Sequence, residues 1–285
     1  GAAWSVAVVG EYAYVADETE GLRVIDISTP SQPVEVGSID TPGTAYSVAV
    51  AGGYSYVADW EHGLRVIDVS TPATPVDAGV VVTPGSADGL AVEGSYAYVG
   101  FYPTGFRVVN IADPATPIEV GFVDTPDYAY DVASPGSYAY VAAYNAGLRV
   151  IDVSTPSTPV EVGLLDSPGN AGGAAVAGGY AYVADYTQGL RVIDVGDPSA
   201  PVEVGSIDPP GLAQDVTVSG HYAYLANAAT GLRIIDISTP SAPVEVGWIT
   251  DGTDANAGRT GTGYASQIIR KFSNDEIGMK PNVEI

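Results

Sequence analysis

An arginine inside the hexapeptide Gly21-Leu22-Arg23-Val24-Ile25-Asp26 returns as Arg65, Arg107, Arg149, Arg191 and Arg233, each 42 residues after the last and without a slip. A fixed period of that size means one supersecondary unit stacked six times, because such a unit cannot bury its apolar surface alone. In the first unit, residues 4–9, 12–16, 22–27 and 34–39 are short runs rich in β-branched and aromatic residues, bounded by Gly and Pro. These are strand signals. Nothing through residue 250 combines helical period with helical length. Strands one and two are joined through two-residue connections led by glycine, from Gly10-Glu11 to Gly220-His221, which predicts type II′ hairpins. Strands three and four are joined by Ser28-Thr29-Pro30-Ser31-Gln32-Pro33 and its copies, where two prolines fix φ. Connections this short make neighbouring strands antiparallel.

One such sheet exposes two apolar faces, and packing blade on blade in a ring hides both. A linear stack would need polar caps, whereas the first and sixth units resemble the others. The expectation is therefore an all-β, six-bladed β-propeller of four-stranded antiparallel blades, closed as a disc over residues 1–250. A C-terminal linker or tail, 251–285, follows and is expected to serve docking or assembly.

The Leu-Arg-Val-Ile-Asp core carries a resemblance. Preceded by Tyr-Ala-Tyr-Val-Ala-Asp and followed by Ser-Thr-Pro, it resembles the LVIVD repeat family over about 250 of the 285 residues. The resemblance implies a β-propeller on bacterial or archaeal surface and secreted proteins, hence an extracellular or cell-surface location. It implies no defined chemistry.

The formal net charge is −24, and residues beyond 250 hold four of the ten basic side chains, Arg259, Arg270, Lys271 and Lys280. The repeats thus keep six arginines against 29 acids and contain no lysine. Such a surface repels polyanions, which argues against nucleic acid and anionic membranes and suits cationic or neutral partners. No apolar run is long enough to insert into a bilayer. The six arginines are expected to pair with a repeated acid, at either the Glu35 or the Asp26 position, and a buried pair would cost about 3–5 kcal/mol to break. The paired tyrosines, Tyr12 and Tyr14 and their copies, point to one face of a strand and are read as packing between blades.

Antiparallel order places the loops between strands two and three, with the connections between blades, on one face of the disc. That face varies from blade to blade. It gathers Trp4, Tyr46, Trp60, Tyr102, Tyr128, Tyr130, Tyr144 and Tyr186 with the carboxylates Asp88, Asp131 and Asp215. Aromatic rings with polar tips offer flat contact area at small entropic cost, which suits a glycan or protein ligand. The three carboxylates are expected near the channel mouth.

Enzyme chemistry is the third reading. His62 and His221 lie on opposite faces, no nucleophile, phosphate-loop or zinc motif is present, and only a carboxylate pair acting on glycans remains conceivable. No cofactor is expected. Asp254 to Gly258 holds a fragment of a calcium loop without its later acid, and a plain turn is the preferred reading. In the tail, Ile268, Ile269 and Phe272 flank Arg270 and Lys271. An apolar, basic segment beside an acidic disc suggests docking on a neighbouring copy, by charge and by an added strand. Self-assembly through this tail is thus the leading expectation, and ligand recognition by the aromatic face the alternative.

Overall fold

The computed structural model describes residues 1–228 and 230–250. They form six sheets, each of four antiparallel strands taken in sequence order from one repeat. In blade one these are β1 (Ser5–Val9), β2 (Tyr12–Ala16), β3 (Leu22–Asp26) and β4 (Val34–Ile39). No strand is exchanged between sheets, so the architecture is a six-bladed propeller in which each repeat is one blade.

The alternation of each strand decides which residues meet the next blade. Ala7, Tyr14 and Val24 share one face of blade one and pack on Val48, Val57 and Ile67 of blade two. The same two faces meet at the next four junctions. The first four blades and the fifth bury the second tyrosine of each pair to 3–5% exposure, which places it in the packing between blades. At the edge of each of these junctions a glycine admits the following blade. A methyl group added to Gly37 would lie 2.2 Å from the Pro72 carbonyl oxygen, and at Gly79, Gly121, Gly163 and Gly205 the corresponding distances are 2.1–2.4 Å.

A repeated bulge settles the pairing of the arginines. The register between β3 and β4 shifts so that Val24 faces Gly37 but Ile25 faces Glu35. Glu35 therefore stands on the same face as Arg23, two residues away, instead of opposite Asp26. All six arginines pair with this acid: Arg23 with Glu35 at 3.3 Å, Arg65 with Asp77, Arg107 with Glu119 at 3.2 Å, Arg149 with Glu161 at 3.6 Å, and Arg191 with Glu203 and Arg233 with Glu245 both at 3.1 Å. The acids remain 21–51% exposed, so the higher cost of breaking a buried pair does not apply. Solvent-screened pairs of this kind contribute about 1 kcal/mol or less. The Asp26 position does another job, accepting a hydrogen bond from the amide two residues on in every blade, as Asp26 does from Ser28 N at 2.8 Å. The bond to Ser28 holds the Asp26 carboxyl below its usual range. The hairpins also divide: Gly10, Gly94 and Gly220 fit the type II′ expectation with one positive φ, whereas both residues of Gly52-Gly53 and Gly178-Gly179 are positive, the type I′ pattern.

The junction between blade six and blade one departs from the other five. Beside Gly247 on the last strand, β24 (Val244–Ile249), the nearest atom among the described residues is Ile234 Cδ1 of the same blade, at 3.7 Å. Tyr224 and Ile234 on blade six, and Val15, Ile25 and Ile27 on blade one, are half-buried where their counterparts at the other junctions are buried. Among the described residues the disc thus carries an open seam, where the sequence leads one to expect a sixth equivalent contact. Burying Ile→Ala loses both transfer energy and packing, about 2–5 kcal/mol in a filled core. Ile151→Ala, at 0% exposure, should fall in that range by urea denaturation, and Ile25→Ala at well under half its cost. Equal costs would show that the seam packs like the rest.

Candidate functional site

Two repeat positions converge on the variable face. The first is the residue that leads into the innermost strand: Trp4, Tyr46, Asp88, Tyr130, Gly172 and Gln214, spaced 42 apart. The second lies in the loop between strands two and three: Glu18, Trp60, Tyr102, Tyr144, Tyr186 and Ala228. Backbone geometry aims the second set. Glu18, Trp60, Tyr144 and Tyr186 take φ of 42–49°, a left-handed conformation that costs a residue bearing a Cβ about 1–2 kcal/mol. Hydrogen bonds across the junction hold it there: Tyr186 N donates to Ala213 O and Ala213 N to Tyr186 O, both at 2.9 Å, and Tyr144 and Ala171 exchange bonds of 3.0–3.1 Å. Each loop thereby reaches the start of the next blade and lays its ring over it. Tyr102 is placed differently, ahead of a cis peptide to Pro103.

The outcome is a continuous arc of rings. Trp4 meets Tyr46 at a centroid distance of 5.1 Å, Tyr46 meets Trp60 at 4.7 Å, and Trp60 lies 6.2 Å from Tyr102 with the planes 4° apart. Tyr102 meets Tyr128 edge-on at 4.3 Å, Tyr128 and Tyr130 both touch Tyr144, at 5.8 and 5.2 Å, and Tyr144 reaches Tyr186 at 6.1 Å. The structure thus brings all eight sequence-selected aromatic residues together. Seven are half-buried and Tyr102 is exposed. Gly172 makes room for the arc's end, since a methyl there would sit 2.7 Å from the Tyr186 ring.

The three carboxylates separate. Asp131 accepts a hydrogen bond from Ala174 N of blade five at 2.9 Å, as Ser5 Oγ, at the same repeat position in blade one, accepts from Val48 N at 3.3 Å. Asp131 thus ties blade to blade. Asp215 accepts from Val216 N at 2.7 Å. Asp88 alone faces a hollow of about 240 Å³, lined by Trp60, Tyr102, Tyr128, Ala129 and Tyr130. Its carboxyl keeps some solvent-exposed surface there, but protein encloses it on every other side. That enclosure, with the nearby charge of Asp131, pushes it up to about 8. Burial raises the phenols of Tyr46, Tyr130 and Tyr186, with the charge of Asp88 among the lesser causes in all three.

Sequence reading missed two posts beneath the arc. Asp59 and Asp185 are fully buried. Asp59 accepts from Thr41 Oγ1 at 2.6 Å and Gly43 N at 3.1 Å, and Asp185 from Ser167 Oγ at 2.7 Å and Gly169 N at 3.0 Å. Burial pushes both carboxyls up against hydrogen bonds that favour the charged form. The signal was available in the repeat register: the same position carries Phe101 and Ala143 in blades three and four, where the post is missing. No group of three or more His, Asp or Glu among the described residues could hold a metal ion. The candidate calcium fragment and the assembly residues Ile268, Ile269, Arg270, Lys271 and Phe272 lie outside the described residues.

Fold and face together define a repeat-built propeller with one differentiated surface. The chain belongs to the LVIVD repeat family, whose repeat matches residues 1–41, 42–83, 84–125, 126–167, 168–209 and 210–251. Similar solved structures include U3-55K, at 9% identity and a TM-score of 0.70 over 87% of this chain and 82% of that one. The β-propeller domain of Myceliophteria thermophila Cps50 (Swd1) has 12% identity and a TM-score of 0.69, over 83% and 84% of the two chains. The computationally designed Ika8 protein has 10% identity and a TM-score of 0.67, over 84% and 72%. At such identities the likeness is one of fold. No curated protein matches the sequence at a significant level.

The Asp88 environment makes a signed prediction. An acid whose proton affinity is raised by folding removes stability as pH climbs from its unfolded value, near 4, to its folded one, about 8. Asp88→Asn should therefore match the parent near pH 4 and exceed it at pH 9 in urea midpoint. A difference independent of pH would contradict this placement of the carboxyl.

Proposed function

We propose that this protein is an extracellular or cell-surface recognition module that captures a ligand on its aromatic face, with no reaction of its own. The observation that carries this reading is the unbroken arc of eight rings, 4.3–6.2 Å between successive centroids. Packing between blades does not account for it: five blades already bury the second tyrosine of each pair and an aliphatic face in the junctions. Half-exposed rings held by fixed backbone lose little entropy when a partner settles on them. Loops on a rigid scaffold are also where binding tends to reside. Two histidines are available, and His62 stands in the loop of blade two while His221 occupies a β-turn in blade six, so no acid–base partner accompanies the carboxylates in this reading.

The test is an array carrying glycans and cationic peptides, probed with the parent, Trp60→Ala and Tyr144→Ala. The parent should retain a defined set of ligands, and each substitution should weaken that set at least tenfold without lowering the melting temperature by more than a few degrees. Ligands retained equally by all three proteins would sink the reading.

A second reading, self-assembly, has its own observation. At the seam, β24 leaves Val246, Trp248 and Ile249 at 53%, 63% and 45% exposure, an apolar edge strand of the kind that accepts another strand. The tail segment 251–285 of a neighbouring copy, with its lysines and arginines, is proposed as the occupant, giving homo-oligomers or polymers. Deleting 251–285 should lower the mass measured by light scattering to that of one chain. An unchanged mass removes this reading.

A further inference from the structure

The hollow between blades three and four has a composition that selects among ligands. Its walls are the rings of Trp60, Tyr102, Tyr128 and Tyr130, and Asp88 is its only charged group among the described residues. Trp60 and Tyr102 stand nearly parallel, Tyr128 is turned 74° from Tyr102, and Tyr130 is tilted 59° from Tyr128. Four rings at different inclinations thus line one space. Each face carries a negative quadrupole, and Asp88 adds a carboxyl with no cation beside it among the described residues. The arginines of the described body are already matched to acids at the blade edges.

We propose that this hollow binds an alkylated ammonium group, the trimethylammonium head of choline or of an N-methylated side chain, seated over Asp88 and enclosed by the four rings. This names the ligand chemistry of the recognition face and presupposes that reading. A neutral sugar would leave Asp88 uncompensated. A divalent ion needs several oxygen ligands, and one carboxylate is present. A primary ammonium or a guanidinium needs several acceptors to replace its bound water, and the walls offer chiefly carbon. An alkylated ammonium is weakly hydrated, fills volume with methyl groups and is attracted by ring faces. One carboxylate completes its charge.

Proton linkage gives the site a signature. The groups facing Asp88 are Asp131 on the next blade and the phenols of Tyr46, Tyr130 and Tyr186, and the phenols stay neutral because burial raises them. Below about pH 8 the empty site holds a proton on Asp88, which a bound cation displaces. Affinity for the cation then rises with pH, approaching tenfold per unit between pH 6 and 8, and levels above.

The probes are choline chloride, a peptide bearing Nε-trimethyllysine, and 3,3-dimethylbutan-1-ol, the uncharged isostere of choline, titrated calorimetrically into the full chain at constant ionic strength from pH 6 to 9. Choline or the peptide should bind with the stated pH dependence, the tighter of the two naming the source of the group, and the alcohol at least tenfold more weakly with none. Asp88→Asn should weaken the cation at least tenfold and flatten its pH profile, and Asp113→Asn, at an exposed position in a loop between strands three and four, should leave it unchanged. Equal binding of the alcohol, an unaltered Asp88→Asn, or no binding of either cation by the parent would overturn the assignment. Array ligands lost in Tyr144→Ala would still stand in that event, so failure here and failure of the recognition reading are separable.

Discussion

The molecule depends on burying the apolar faces of its blades at five filled junctions. Each sheet turns Ala, Tyr and Val side chains toward the following blade and Val and Ile toward the preceding one, and neither surface is tolerable in water. At about 25 cal/mol per Å² of apolar area, five filled junctions outweigh the screened ion pairs at the blade edges by a wide margin. The arginines therefore refine register and edge contacts, while stacking of the blades makes the fold.

That division explains how the variable face came to be differentiated. Side chains inside a junction answer to a neighbour, so Tyr14, Val24 and Ile67 recur almost unchanged along the chain. Residues leading into the innermost strand, and those at the loop apex, answer only to the open face. There the repeat admits Trp, Tyr, Asp, Gly and Gln at one position and Glu, Trp, Tyr and Ala at the other. Strain is shared with the scaffold: Glu18 has the same positive φ as Trp60, Tyr144 and Tyr186, so the loop conformation belongs to the repeat, and the aromatic side chain is what these blades place on it. Beneath the face, Asp59 and Asp185 brace the loops of blades two and five by hydrogen bonds that Phe101 and Ala143 cannot make in blades three and four.

Much of this was legible in the residues. Period, glycine-led turns and alternating apolar residues gave blade number, strand order and the assignment of loops to faces, because each is a local property repeated six times. The eight ring residues of the arc were found by comparing the blades with one another. What escaped notice has a common cause. The choice of Glu35 over Asp26 as the arginine's partner turns on a one-residue bulge that moves an acid from one face of the sheet to the other. The separation of Asp88 from Asp131 turns on a hydrogen bond to an amide 43 residues away.

By itself the sequence determined the unit, its count, the buried faces and the set of side chains available to the open surface, since these follow from spacing and chemistry along one chain. Tertiary structure alone decided which carboxyl faces the hollow, how the rings touch, and that the sixth junction differs from the other five. Those outcomes depend on rotations accumulated from blade to blade. Five junctions can each adopt their preferred angle, and the last must accept whatever angle remains.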